Sequence, residues 1–137
     1  MSAIVVGYIF GTEARAALDS AVTEARIRNA SLVVVHSAKG GLEESDEEIR
    51  AYSEALEGID HELAAAGVDH EVEELVLGHE PAEDIVRIAR EREAEMIVIG
   101  LHRRSKVGKL LLGSDAQDIL LQADCPVLAV KPTLKSN

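Results

Sequence analysis

One stretch of this 137-residue chain concentrates the residue types that hold anions. Gly100 to Ser114 reads GLHRRSKVGKLLLGS and carries four of the 14 basic side chains, Arg103, Arg104, Lys106 and Lys109, with no acidic residue among them. It ends in Gly113 and Ser114, where the following residues take up helical spacing. Free amides at a helix N-terminus bind phosphate, a glycine before them allows close approach, and a serine hydroxyl adds a contact. A second reading uses the same residues structurally: Gly113 permits the turn, Ser114 caps the helix and Gln117 completes a capping box. Spacing alone leaves both open.

Other chemistries fail by inspection. A Walker A loop needs a serine or threonine after its glycine-lysine pair, but Leu110 follows Gly108 and Lys109. The dinucleotide fingerprint GxGxxG is absent after the first apolar run. Lys131 and Pro132 suggest a phospho-receiver, yet such domains need acidic side chains near the start to hold magnesium, and Ile9 and Phe10 stand there. The five histidines, His36, His61, His70, His79 and His102, offer no pair with metal-ligand spacing on one helix, so no metal site is expected. His102 alone falls within the basic stretch, facing either a ligand or solvent. No orienting acid is visible near Ser114 or His102, and no catalytic residue is assigned.

Composition narrows the partners. Phe10, Tyr8 and Tyr52 are the only aromatic residues, which disfavours recognition by stacking. A net charge of -11 repels nucleic acid and anionic lipid, so neither is an expected partner. The single cysteine, Cys125, fits a reducing interior, and no apolar run approaches the roughly 20 residues that span a bilayer. A cytoplasmic protein is expected.

The elements that would position the basic stretch are legible as patterns. AIVVGY (Ala3 to Tyr8), LVVVH (Leu32 to His36) and MIVIG (Met96 to Gly100) are apolar runs without alternation, as in parallel strands covered on both faces. Between the first two, Ala14, Ala17, Leu18, Ala21, Val22 and Ala25 follow helical spacing, with Thr12 as N-cap. Ser45 and Glu48 form a capping box ahead of a second helix that stops at Gly67. Asp69 to Leu77 has strand character but carries Glu71, Glu73 and Glu74, which places it at a sheet edge. Pro81 opens a third helix, Ser114 to Ala123 forms the fourth after a long loop, and Pro126 to Val130 (PVLAV) is the last strand. The alternation predicts an α/β fold: a five-stranded parallel, doubly wound sheet between layers of helices, in one domain over 1–137. Ligands of such sheets bind beyond the carboxyl ends of strands where the order reverses.

Gly100 to Ser114, followed by AQDILLQADCPVLAVKP, resembles the C-terminal signature of the universal stress protein family: glycine, two residues, glycine, nine residues, glycine, then serine or threonine. The IVVGY start, the VVVHS strand, the order of elements and the length agree with it. The resemblance implies a Rossmann-like sheet of order 3-2-1-4-5 and a bound adenine nucleotide, ATP or another, with or without magnesium. It implies ribose and phosphate contacts at Gly100, Gly113 and Ser114, with Ser37 at the adenine end. Two positions depart from the family pattern. Arg103 replaces the second glycine, and Ile9 stands where an aspartate after the first strand helps hold the nucleotide. The candidate binding residues are therefore Ile9, Ser37, Gly100, His102, Arg103, Gly113 and Ser114. The expected function is non-enzymatic nucleotide binding in stress response or signalling; the alternative is a dimeric interaction module without ATP. PVLAV carries no charge, and an uncharged edge invites strand pairing. The resemblance implies a homodimer through Pro126 to Val130.

Overall fold

The computed structural model describes residues 2–8, 12–38, 45–76, 78–103 and 110–132, with backbone alone at 12, 102, 103, 110 and 111. The chain runs β1 (Ala3–Gly7), α1 (Thr12–Arg28), β2 (Ser31–Ala38), α2 (Asp46–Ala65), β3 (His70–Val76), α3 (Pro81–Glu91) and β4 (Met96–Gly100). It continues through β5 (His102–Arg103), β6 (Leu110–Leu111), α4 (Ser114–Gln122) and β7 (Val127–Val130). Five strands form one sheet in the order β3-β2-β1-β4-β7, every pairing parallel. Counting only its own strands, that order is 3-2-1-4-5, the one implied by the family resemblance.

Period-two geometry sorts the apolar runs between two cores. Ile4, Val6, Leu32, Val34, Met96 and Val98 face α1 and α2, where Ala17, Leu18, Leu56, Ile59 and Leu63 meet them. Val5, Val33, Val35, Ile97 and Ile99 face α3 and α4, against Ile85, Val86, Ile88, Ala116 and Ile119. Each fully buried valine, leucine or isoleucine contributes roughly 1.5–3 kcal/mol by leaving water, so the two-sided burial of β1, β2 and β4 anchors the fold.

The ends of the elements follow local chemistry. Ser45 caps α2, its hydroxyl accepting from the Glu48 amide at 3.1 Å while the Glu48 carboxylate reaches back to the Ser45 amide. Gly67, at φ +73°, lies just beyond the helix in the left-handed region that glycine enters freely. Strand β3 is the edge its glutamates predicted. Arg92 pairs with Glu71 and Glu73, and the Ser53 hydroxyl meets Glu74 at 2.8 Å, so each carboxylate has a partner, although Glu73 Oε2 is buried without a hydrogen bond. Helix α1 already includes Thr12, which is its first residue and not a cap outside it. One feature differs from the expected long loop. The backbone forms a two-residue antiparallel pair, His102↔Leu111 and Arg103↔Leu110. Strands this short carry no readable period.

Two contacts generate measurable expectations. A Cβ on Gly100 would lie 2.5 Å from the Glu13 carbonyl oxygen, so the end of β4 packs against the first turn of α1 with no room for a side chain. A Cβ on Gly7 would instead meet the tip of Ile85 at 2.9 Å, and a side-chain tip can yield. Gly100→Ala is expected to cost about 1–3 kcal/mol through forced backbone movement, and Gly7→Ala less, as read from Tm or urea unfolding.

His70 joins β3 to α2: its Nδ1 lies 2.7 Å from the Val68 carbonyl and its Nε2 2.6 Å from Asp60. Both partners are acceptors, so only the imidazolium satisfies both. Burial alone would lower the His70 pKa, but the Val68 and Asp60 contacts outweigh it and hold it above the usual value. This bond therefore stabilises the fold fully below the unfolded histidine pKa of about 6.5 and loses its contribution as pH rises through the higher folded value. Urea titrations across that range should show the decline in the native chain and a flatter profile for His70→Gln.

Candidate functional site

Because all five strands run parallel, their carboxyl ends share one edge, and that edge receives the loops after β1, β2 and β4. Strand β1 lies between β2 and β4, and consecutive connections leave it in opposite directions. The switch point is therefore at the ends of β1 and β4. Tyr8 continues β1 by donating its amide to the Val35 carbonyl at 2.8 Å. His36, buried at the end of β2, donates from Nδ1 to the Tyr8 carbonyl at 2.9 Å and meets the Tyr52 ring edge-on. These bonds brace the start of the first loop.

Gly100 closes β4, paired in register with Val130, and its lack of a side chain admits the α1 turn. The chain then enters β5 at His102 and Arg103 and returns through β6 to Gly113. Gly113, at φ −66° and ψ 166°, is the N-cap of α4, and Ser114 is the first residue inside the helix. This corrects the capping reading. Ser114 does not cap α4, and Gln117 sends its side-chain amide to the Leu112 carbonyl at 3.2 Å instead of to the cap. The first helical bond runs from the Gln117 amide to the Gly113 carbonyl at 3.0 Å, and a glycine cap has no side chain to satisfy the amides of Ser114, Asp115 and Ala116.

Of the candidate residues, Ser37, Gly100, Gly113 and Ser114 lie at this carboxyl edge, with the backbone of His102 and Arg103 leading away from it. Ile9 falls outside the described residues, as do Phe10, Arg104, Lys106 and Lys109. Ser37 is the penultimate residue of β2 and buried, and its hydroxyl donates to Asp84 Oδ2 at 2.6 Å.

Asp84 was missed in the sequence. Its side chain is wholly buried in the first turns of α3 and also receives Arg87 Nη1 at 2.7 Å and His79 Nδ1 at 3.1 Å, both on Oδ1. Burial pushes its pKa up, but the Ser37, Arg87 and His79 hydrogen bonds outweigh that and leave it below the usual aspartate value. A readable signal existed: Asp84 precedes Ile85 and lies four residues before Ile88, on the apolar stripe of an amphipathic helix. Asp115 was also overlooked. It sits half-buried in the first turn of α4, and burial, with the nearby charges of Glu80 and Asp118, raises its pKa.

The edge thus joins the first-turn amides of α4 and the buried Ser37–Asp84 pair, while the basic side chains of the stretch lie outside the described ones. Among the described residues, no group of three or more His, Cys, Asp or Glu side chains is placed to hold a metal, and no helix is long and apolar enough to cross a membrane.

Residues 1–131 match the Universal stress protein family. A universal stress protein of Mycolicibacterium smegmatis is 37% identical over 135 residues, covering 94% of this chain and 97% of that protein. The solved structure of a universal stress protein from Archaeoglobus fulgidus superposes with a TM-score of 0.81 at 39% identity, covering 96% of this chain and 98% of that one. The structure of the universal stress protein from Archaeoglobus fulgidus in complex with dAMP gives 0.74 at 35% identity over the same shares. The parallel sheet with its reversal between β1 and β4, and the glycine-capped helix following the basic stretch, are features of a chain that belongs to the universal stress protein family.

Proposed function

We propose that this chain is a non-enzymatic binder of an adenine nucleotide whose occupied and empty states are read by partners in a stress response. The observation that carries the reading is the glycine-capped N-terminus of α4 at the switch point, where no cap side chain satisfies the Ser114, Asp115 and Ala116 amides and the basic stretch of the sequence has just ended. The dAMP complex of the Archaeoglobus fulgidus relative supports an adenine nucleotide as the ligand class. The phosphate accepts from the α4 amides with Ser114 beside it, and the base extends past β1 toward Ser37 on β2, a strand about 10 Å from β4 at two strand spacings. Gly100 and the backbone of His102 line the ribose, and Arg103 supplies a charge where the family has glycine. Ile9 removes one polar contact, so affinity is lower than in members with aspartate there.

Binding without catalysis fits the buried serine–carboxylate pair: Asp84, with its lowered pKa, is a weak base toward the Ser37 proton. A net charge of -11 disfavours nucleic acid and anionic membrane, and the cytoplasm is the compartment that suits a lone thiol. One observation favours the alternative, an interaction module without ATP: ionised Asp115 would repel phosphate from the amides beside it. Titration with ATP, ADP, AMP and cyclic AMP separates the two. Saturable binding of at least one, weakened about tenfold or more by Gly113→Val, is expected; four flat titrations would leave the module reading standing.

The chain is also proposed to act as a homodimer through Pro126 to Val130. Among the described residues, strand β7 pairs only with β4, and its side chains are half-buried. Leu112, Leu120 and Leu121 of the neighbouring segment are exposed, Leu121 by 84%. The opposite edge carries glutamates, so among the described strands of the main sheet β7 is the edge that favours self-pairing. Light scattering at micromolar concentration should give twice the chain mass of 14.7 kDa, reduced toward one chain by Leu128→Glu; a monomeric native chain contradicts the proposal.

A further inference from the structure

At the edge of the sheet opposite β7, the phase of the hydrogen bonds is fixed. Among the described residues β3 pairs with β2 alone. A parallel ladder engages alternate residues of each strand. The Leu32 amide donates to the Asp69 carbonyl at 2.9 Å, so Asp69, Glu71, Glu73 and Leu75 turn their backbone groups toward β2. The amides and carbonyls of His70, Val72, Glu74 and Val76 therefore point out of the sheet. Their side chains share the α2 face, because alternate residues of a strand lie on one side. On that face α2 presents Ser53, Leu56, Glu57 and Asp60 at helical spacing, and with Val72 and Glu74 they line a groove of about 310 Å³. Leu56 and Val72 make its apolar part. Asp60 shares its charge with His70 at 2.6 Å, whereas among the described residues no basic side chain pairs with Glu57 or Glu74.

We infer that the β3 edge and this groove together receive an extended segment of a partner protein in which Lys or Arg alternates with neutral residues, added to the five-stranded sheet as a further strand. The inference is independent of the nucleotide reading and uses the edge that pairing through β7 leaves open. Main-chain hydrogen bonds to Val72 and Glu74 give such a segment its affinity, and its alternate side chains give specificity. Those turned to the α2 face run their aliphatic stems over Leu56 and Val72 and set their charges beside Glu57 and Glu74. Those on the α3 face meet Glu71 and Glu73, which Arg92 already holds, so neutral residues suffice there. The same charges disfavour a second copy of β3 as the occupant: three glutamates in seven residues would meet their own kind across the new ladder. A metal ion is not the occupant the geometry favours either, since among the described residues no group of three or more His, Cys, Asp or Glu side chains is placed to hold one.

The test titrates the full chain with the probe peptide acetyl-Lys-Thr-Lys-Thr-Lys-Thr-Lys-amide, followed by NMR and by hydrogen exchange at the Val72 and Glu74 amides. A second peptide with proline in place of each threonine keeps the charge but cannot form the ladder, and spermine supplies charge with no backbone. The threonine peptide should bind saturably, slow exchange at Val72 and Glu74 by about tenfold or more, and weaken as salt rises. The proline peptide and spermine should bind at least about tenfold more weakly. Glu57→Lys combined with Glu74→Lys should weaken the threonine peptide by about tenfold or more. Glu47→Lys, exposed in the first turn of α2 outside the groove, should leave its affinity within about twofold. Absence of binding overturns the inference, as does indifference to the double substitution. Equal binding by the proline peptide or by spermine overturns it too, because it would mark a site for diffuse positive charge and not for a strand. The comparison of peptides needs no substitution, so it stands even where a variant fails to fold.

Discussion

Burial on both faces of the three central strands governs where polar chemistry can occur in this molecule. Strands β1, β2 and β4 pass between helix layers, so along most of their length only apolar side chains are tolerated and every backbone polar group is spent on a neighbouring strand. Groups able to meet a ligand are then confined to the strand ends and helix N-termini. At the carboxyl edge this gathers Ser37, Tyr8, Gly100 and the first turns of α3 and α4. Asp84 shows how strict the constraint is: a carboxylate enters the interior only because Ser37, Arg87 and His79 all donate to it.

Electrostatics at that edge is a local matter set against the overall charge. The chain carries -11, yet its basic stretch contains no acid between Gly100 and Ser114, and the α4 amides follow directly. Long-range repulsion of an anion is screened within about 8–10 Å at physiological salt, whereas amides and guanidinium groups act at contact. Asp115 opposes them from within the same turn, and its pKa is raised first by burial and then by the neighbouring charges of Glu80 and Asp118.

Much of the scaffold was legible because its signals are local and repeated. The AIVVG, SLVVVHSA and MIVIG strands, the Ser45–Glu48 capping box, the stop at Gly67 and the edge placement of the glutamate-bearing strand all follow from patterns of a few residues. The strand order came from the family resemblance, since periodicity says nothing about which parallel neighbours a strand takes. The site was read less completely. The β5–β6 pair is too short to leave a pattern, and Ser114 looked like a cap because serine is common there, while the backbone places Gly113 at that position. Asp84 and Ser37 lie 47 residues apart and meet only once α3 packs on β2, a tertiary fact that neither segment announces alone. Gly100 was singled out for ligand approach, and the structure adds a packing reason for its glycine, because a Cβ there would meet the Glu13 backbone at the join between β4 and α1.

In the proposed function, the glycine-capped helix and the end of β2 form two ends of one nucleotide site. A crystal structure of the full chain soaked with AMP tests it most directly. The expected result is phosphate oxygens within hydrogen-bond distance of the Ser114, Asp115 and Ala116 amides and the base beside Ser37 at the carboxyl edge of β2. AMP bound with its phosphate away from α4, or found only at another surface of the protein, would contradict it.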